Sequence, residues 1–182
     1  MTVPEGLAVF FASWHPPNLD AAEVILELAD ELPEVVMVLA GSHGWAFRSR
    51  RLPPNVAVVG VISGESKQTL LRSATVALNP MRKGTGTNLK ILEYLAHGVP
   101  TISTPFGVRG LAVDHRHVRL AEPDAFASAY RSLVADSDGA SMRARAGRAL
   151  VEAEYLWVGL GERLAEAIDA MLLDEPSPSA LA

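Results

Sequence analysis

Pro80-Met-Arg-Lys-Gly-Thr-Gly-Thr-Asn-Leu-Lys-Ile-Leu-Glu-Tyr-Leu-Ala-His-Gly-Val-Pro-Thr-Ile-Ser-Thr104 runs a basic, glycine-rich loop into an amphipathic helix, a helix stop and a buried strand. Gly84 and Gly86 lack a Cβ, so the backbone there bends freely and brings its N–H groups close to a ligand. The helix expected over residues 87–97 points its first unpaired N–H groups, and the positive end of its dipole, at the same spot. Such a junction is a phosphate seat. Arg82, Lys83 and Lys90 add positive charge around it, and Thr85 and Thr87 add hydroxyl donors. A lone Gly-x-Gly also fits a simple tight turn from strand to helix, because short glycine patterns are weak evidence by themselves.

Glu93 favours the ligand reading. Counted from the expected helix start, its backbone lies roughly 9 Å along the axis, and helical side chains lean back toward the N-terminus. A glutamate there reaches toward the loop and accepts hydrogen bonds from a pair of sugar hydroxyls. Phosphates at the helix end with a ribose beside the first turns is the geometry of a bound nucleotide. The alternative is a solvated glutamate on a polar face, but Leu89, Leu92, Leu95 and Ala96 are expected to form the core stripe, and Glu93 interrupts it.

The rest of the chain places this motif in an α/β sheet. Leu7 to Ala12, Val35 to Ala40, Val56 to Val59, Thr75 to Leu78, Val99 to Ser103 and Val118 to Leu120 read as six strands of a parallel sheet, the first two as buried apolar runs. Helices are expected between them: one capped by Asn18 or Asp20 and running to about Leu32, a short one from Glu65 to Ser73, and the helix of residues 87–97 with Gly98 as its C′ residue. Strands alternating with helices at this spacing predict a Rossmann-like doubly wound sheet with right-handed crossovers. Ligands then sit outside the carboxyl ends of the strands, at the switch point. From Asp124 onward the chain reads as helices over 124–136, 138–153 and Leu156 to Leu173. Residues 1–174 are expected to form a single domain and residues 175–182 a disordered tail.

With 182 residues, 49% hydrophobic and 20% charged, the composition is that of one globular domain. The net charge of −5 argues against nucleic acid as a partner. Zero cysteines exclude disulfides and thiolate chemistry and fit a cytoplasmic protein. No apolar run approaches the length of a membrane span, and Met1-Thr-Val-Pro-Glu5 carries no basic lead into a secretory signal.

Taken in order, loop, helix, Glu93 and strand resemble the C-terminal half of GT-B glycosyltransferases, specifically the large retaining family four. Residues 84 to 98, the following Val-Pro-Thr-Ile-Ser-Thr and Gly107-Val-Arg-Gly-Leu111 look like that family's nucleotide-sugar signature. Ser13-Trp-His-Pro-Pro-Asn18 is similar to the first strand-to-helix loop of one subgroup, and Asn55-Val-Ala-Val-Val-Gly60 to the strand beside the base. The resemblance implies a donor-binding domain for a nucleoside-diphosphate sugar (UDP- or GDP-sugar), with no metal required. Glu93 would hold the ribose. Gly84, Gly86, Thr87, Asn88, Leu89 and Lys90 would face the diphosphate, Lys90 as the catalytic cation. Ser13 would border the donor, and Ile62 and the backbone of Gly60 to Ser63 the base.

Three departures from the family pattern matter. Many relatives carry two glutamates separated by seven residues, and here the first position is Thr85, whose hydroxyl can still bond the donor sugar or a phosphate. Many place an arginine and a lysine on the first loop, where this chain has Ser13 and Asn18. That moves the diphosphate charge to Lys90, with Lys83 and Arg109 as further candidates. The N-terminal GT-B domain, which supplies the acceptor site, is absent from this chain, so a missing domain or a partner chain is implied and transfer by this chain alone is not expected. In the family the last helix crosses back onto that domain. Its stripe of Leu160, Leu164, Ala167, Ile168 and Met171 would then be partly exposed and favour self-association.

Two rivals stay open: a non-catalytic nucleotide-sugar-binding module or subunit, and a phosphate-binding Rossmann-like domain with no part in sugar transfer. His15 reads as a phosphate or sugar contact or as a structural loop histidine. Trp14 and Trp45 suit stacking on a base or sugar, or plain packing. Asp114-His-Arg-His117 lacks the further ligands a metal centre needs. Arg143, Arg145 and Arg148 read as a solvated helix face.

Overall fold

The computed structural model describes residues 5–173; the tail of residues 175–182 lies outside them. Six strands form one sheet: β1 (Gly6–Phe11), β2 (Val35–Ala40), β3 (Val56–Gly60), β4 (Val76–Asn79), β5 (Thr101–Ser103) and β6 (Arg119–Leu120). Every pairing is parallel and the order is β3-β2-β1-β4-β5-β6, the doubly wound arrangement the strand pattern predicts. Successive side chains of a strand point to opposite faces, and β1 shows the consequence. Ala8 and Phe10 enter one core with α1 (Pro16–Glu31) and α4 (Phe126–Ala135). Val9 and Phe11 enter the other with α2 (Gly64–Ser73), α3 (Lys90–Ala96) and α5 (Ser137–Glu154). A strand buried on both faces needs the continuous apolar run that Gly-Leu-Ala-Val-Phe-Phe provides.

Two helix starts differ from expectation. Neither Asn18 nor Asp20 caps α1: the cap position is His15, with no side-chain hydrogen bond, and Pro16 and Pro17 fill the first helical positions. Their fixed φ and missing N–H groups suit that first turn, so the chain becomes helical before either polar residue is reached. The Asn18 amide instead donates to Ser13 O at 3.0 Å. The helix expected from residue 87 begins at Lys90. Leu89 N–H donates to Thr87 O at 3.2 Å and Ile91 N–H to Asn88 O at 3.1 Å, tight turns that hold residues 87–89 out of the helix. Glu93 therefore lies in the first turn of α3 rather than deep along it.

The core stripe of α3 is also shifted. Ile91, Tyr94 and Leu95 are buried, whereas Leu89 and Ala96 are exposed. Gly98, at φ 65°, closes the helix as expected: its N–H bonds Leu95 O at 2.8 Å and that of Val99 bonds Tyr94 O at 3.1 Å, the two bonds of a Schellman stop. The last helix, α6 (Trp157–Leu173), exposes its apolar residues, with Leu164 at 62% and Met171 at 74%. Among the described residues no helix is long and apolar enough to cross a membrane.

Candidate functional site

Strand order reverses between β1 and β4, so the loops leaving their carboxyl ends diverge and open a crevice. A cavity of about 550 Å³ lies there, lined by Ser13 and Asn18 after β1, Gly41 and Ser42 after β2, Val61 and Ile62 after β3, and Lys67 of α2. Thr87, Asn88, Leu89, Lys90 and Glu93 complete it. That volume suits a nucleotide-sized ligand. A second hollow of about 240 Å³ shares Ser13, Asn18, Thr87 and Asn88 and continues along Gly84, Thr85 and Gly86 to Trp14, His15 and Arg109. Ser13, Ile62, Gly84, Thr85, Gly86, Thr87, Asn88, Leu89, Lys90 and Glu93, all singled out in the sequence, thus border these two adjoining hollows. Trp14 borders the smaller one and is 56% exposed, whereas Trp45, 53% exposed, borders neither hollow.

Lys90 opens α3, and its ammonium turns back toward β1. Nζ donates to Asn18 Oδ1 at 2.9 Å and stands 4.3 Å from the centroid of the Phe10 ring. No carboxylate pairs with it among the described residues. Burial without a counter-ion disfavours the charged form and pulls Lys90 down to about 7. His43 is packed edge-on against the same Phe10 ring at 5.3 Å and its Nδ1 bonds Ala12 O at 2.8 Å. Burial lowers its pKa and the charge of Lys90 lowers it further.

Glu93 faces the same cavity. Its Oε2 accepts from Lys67 Nζ at 2.5 Å, and about a third of each side chain remains exposed. Lys67 is the functional candidate that the sequence hid. It lies 26 residues from Glu93 in a polar stretch of a short helix, and only the fold, which sets α2 and α3 on the same face of the sheet, brings the pair together.

The glycine loop is held from below. Buried Asn79, at the end of β4, donates to Ser103 Oγ at 3.0 Å and Gly107 O at 3.2 Å. Its Oδ1 accepts from the Asn88 amide at 3.3 Å, which ties the loop to the sheet. From above, Arg109 Nη2 donates to Gly86 O at 2.6 Å while its guanidinium lies 3.8 Å from the Phe106 ring centroid. Gly84 and Gly86 take φ of 137° and 69°, values that L side chains resist, so glycine is required at both.

Two of the expected loop cations point elsewhere. Lys83 pairs with Asp20 on α1, and Arg82 borders a separate groove with Glu27, Glu31 and Glu122. Their closeness in sequence to the loop does not carry them into the crevice. Asp114 is engaged by the Arg116 side chain at 2.9 Å, and hydrogen bonding from Arg116 holds its carboxyl down at about 2. Arg143 is half-buried and pairs with Asp136 at 3.5 Å, so of the three helix arginines only Arg145 and Arg148 are exposed.

Known structures share this architecture. The C-terminal domain of LpcC, a glycosyl transferase group 1 protein from Francisella tularensis, is 19% identical and superposes with a TM-score of 0.64, covering 85% of this chain and 89% of that one. Sucrose-phosphate synthase from Thermosynechococcus elongatus is 20% identical with a TM-score of 0.74, covering 93% of this chain and 46% of that one. HepE from Anabaena, solved with UDP, is 14% identical with a TM-score of 0.75, covering 90% of this chain and 48% of that one. The chain thus spans about half the length of the latter two proteins. No curated protein matches it by sequence. The family model for glycosyl transferases group 1 matches residues 5–136, and with the fold it implied now seen strand by strand, the chain belongs to that family.

Proposed function

We propose that this chain is the donor half of a retaining GT-B glycosyltransferase and binds a nucleoside-diphosphate sugar in the crevice between β1 and β4. One observation carries the reading: a half-buried ammonium without a carboxylate partner among the described residues, Lys90, and a carboxylate, Glu93, border a single cavity at the point where strand order reverses. A nucleotide presents the complementary pair of features, an anionic diphosphate and a ribose diol. The base lies against Val61 and Ile62, the ribose hydroxyls donate to Glu93, and the diphosphate meets Lys90 and the loop N–H groups from Gly84 to Leu89. The sugar extends past Thr85 into the smaller hollow.

As the glycosidic bond breaks, negative charge grows on the leaving diphosphate, and Lys90 and Arg109 stabilise it without a metal. HepE is described with UDP and with UDP-glucose, which supports a uridine nucleotide as the first donor to test. The acceptor, a glycan, lipid or small molecule, would be presented by a second domain or partner chain. The exposed stripe of α6 supports a contact of that kind, or with a second copy of this chain.

Calorimetric titration with UDP, GDP and ADP tests the reading. One nucleotide should saturate the chain, and Glu93→Ala should weaken it about 10- to 100-fold, the scale of hydrogen bonds to a charged acceptor. Binding of none of the three, or affinity unchanged in the variant, would refute it.

A further inference from the structure

We infer that Lys67 is a positioning residue for the nucleoside: it holds the Glu93 carboxylate by one oxygen and leaves the other free for a ribose hydroxyl. The inference rests on the donor-binding reading above. Glu93 is the sole carboxylate among the described residues lining the larger cavity. A glutamate side chain has three rotatable bonds, so an untethered one must be ordered each time a ligand binds. Lys67 does that ordering in advance. Its Nζ is 2.5 Å from Oε2, and the same ammonium stands 5.4 Å from the Phe11 ring centroid, so the lysine is fixed by an anion on one side and an aromatic face on the other. Oε1 has no hydrogen-bond partner among the described residues.

The pairing also sets the chemistry of the acceptor. An ionised carboxylate only accepts hydrogen bonds, with about four lone-pair positions, and Lys67 occupies one of them. What remains matches a vicinal diol, which offers two O–H donors. The element that brings the lysine is informative as well. α2 starts directly after Val61 and Ile62, with Ser63 as its cap accepting from Ser66 N–H at 3.1 Å. One capped turn therefore carries both the apolar residues that border the cavity beside the base and the side chain that orients the ribose acceptor.

The test is calorimetry on the 182-residue chain, wild type and the variants Lys67→Met, Lys67→Arg, Glu93→Gln and Lys67→Met/Glu93→Gln. Probes are UDP, GDP and ADP, and the 2′,3′-dideoxy counterpart of the one that binds. Lys67→Met should weaken the ribonucleotide about three- to tenfold, the scale of a half-buried ion pair acting through one hydrogen bond. It should leave the dideoxy nucleotide unaffected and add nothing in the Glu93→Gln background, and Lys67→Arg should restore the ribonucleotide. Equal losses for ribo- and dideoxy forms would overturn the inference in favour of a direct phosphate contact. Unchanged or tighter binding by Lys67→Met would overturn it too. A wild type that binds no nucleotide refutes the donor-binding reading along with it, whereas a wild type sensitive to Glu93→Gln but not to Lys67→Met refutes Lys67 alone.

Discussion

Raising the pH from 7 to 9 should weaken nucleotide binding steeply, because the cation that faces the diphosphate loses its proton in the empty site. Burial sets Lys90 at about 7, and its immediate neighbours do not offset that: Asn18 and the Phe10 ring are neutral. His43, pushed below its ordinary range by burial, adds no charge above pH 7, and Glu93 is engaged by Lys67. A phosphate oxygen about 4 Å from the ammonium contributes about 4 kcal/mol at an effective dielectric of 20. At 1.36 kcal/mol per unit, that raises Lys90 by about three units, to roughly 10 in the complex. Between about pH 7 and 10 the nucleotide therefore binds together with a proton, and Kd approaches a tenfold rise per pH unit above pH 8; since half the lysine has already lost its proton at pH 7, the rise from pH 7 to 9 is about 50-fold. The last phosphate ionisation, near pH 6, lies below this window. Calorimetry at pH 8 in two buffers of different ionisation enthalpy should register uptake of close to one proton. Lys90→Arg keeps its charge throughout and should flatten the profile. A wild-type Kd that stays constant from pH 7 to 9, or an equal slope in Lys90→Arg, would refute the reasoning.

In the empty protein the sign is reversed: Lys90 falls from 10.5 to about 7 on folding, the unfolded chain binds more protons between those values, and stability rises with pH across that window. Lys90→Met should remove that rise and lift the melting midpoint at pH 7 by about 3–10 °C, corresponding to about 1–3 kcal/mol; equal midpoints would count against it. Gly107→Ala would set a Cβ 2.3 Å from Asn79 Nδ2 and 2.5 Å from Ser103 Oγ. It should destabilise by about 1–3 kcal/mol in urea titration, and a wild-type midpoint would contradict the packing described. Tyr94→Phe strips the acceptor from the buried Phe11 N–H, now bonded to the phenol oxygen at 3.0 Å, and should cost about 1–3 kcal/mol in the same assay.

The sheet was legible because β1, β2 and most of β4 are apolar runs closed by turn-forming residues and buried on both faces, whereas the edge strands β3 and β6 keep exposed residues such as Val59 and Arg119. Helix starts were less legible, because local signals competed. Asn18 and Asp20 have the chemistry of caps, yet Pro16 and Pro17 set the first turn earlier. Leu89 extends the apolar period of α3, yet it lines the cavity and is 67% exposed. Gly84, Gly86, Lys90 and Glu93 border the candidate crevice as the sequence suggests, because loop and helix are contiguous in sequence. Lys67 was not legible in this way, since its partner is fixed by packing rather than spacing. Arg82 and Lys83 show the converse: neighbours of the loop in sequence, they are drawn away by Asp20 and by an acidic groove.

The uncharged Ser13 and Asn18 take on a physical meaning once Lys90 is located. A second cation on the first loop would stand beside a buried ammonium already held near neutrality by burial, and would drive its proton off well below pH 7. An aspartate at position 18 would do the opposite, locking Lys90 into a permanent ion pair that a phosphate would have to displace. The Asn18 carbonyl accepts the ammonium's hydrogen bond at 2.9 Å while leaving its charge uncompensated, so the full attraction is reserved for the ligand. Lys67, compensated by Glu93, is not free for that part and, on the inference above, orients instead. On the proposed reading, two lysines in one crevice divide the work: the paired one supplies geometry, and the unpaired one supplies affinity that exists only when an anion arrives.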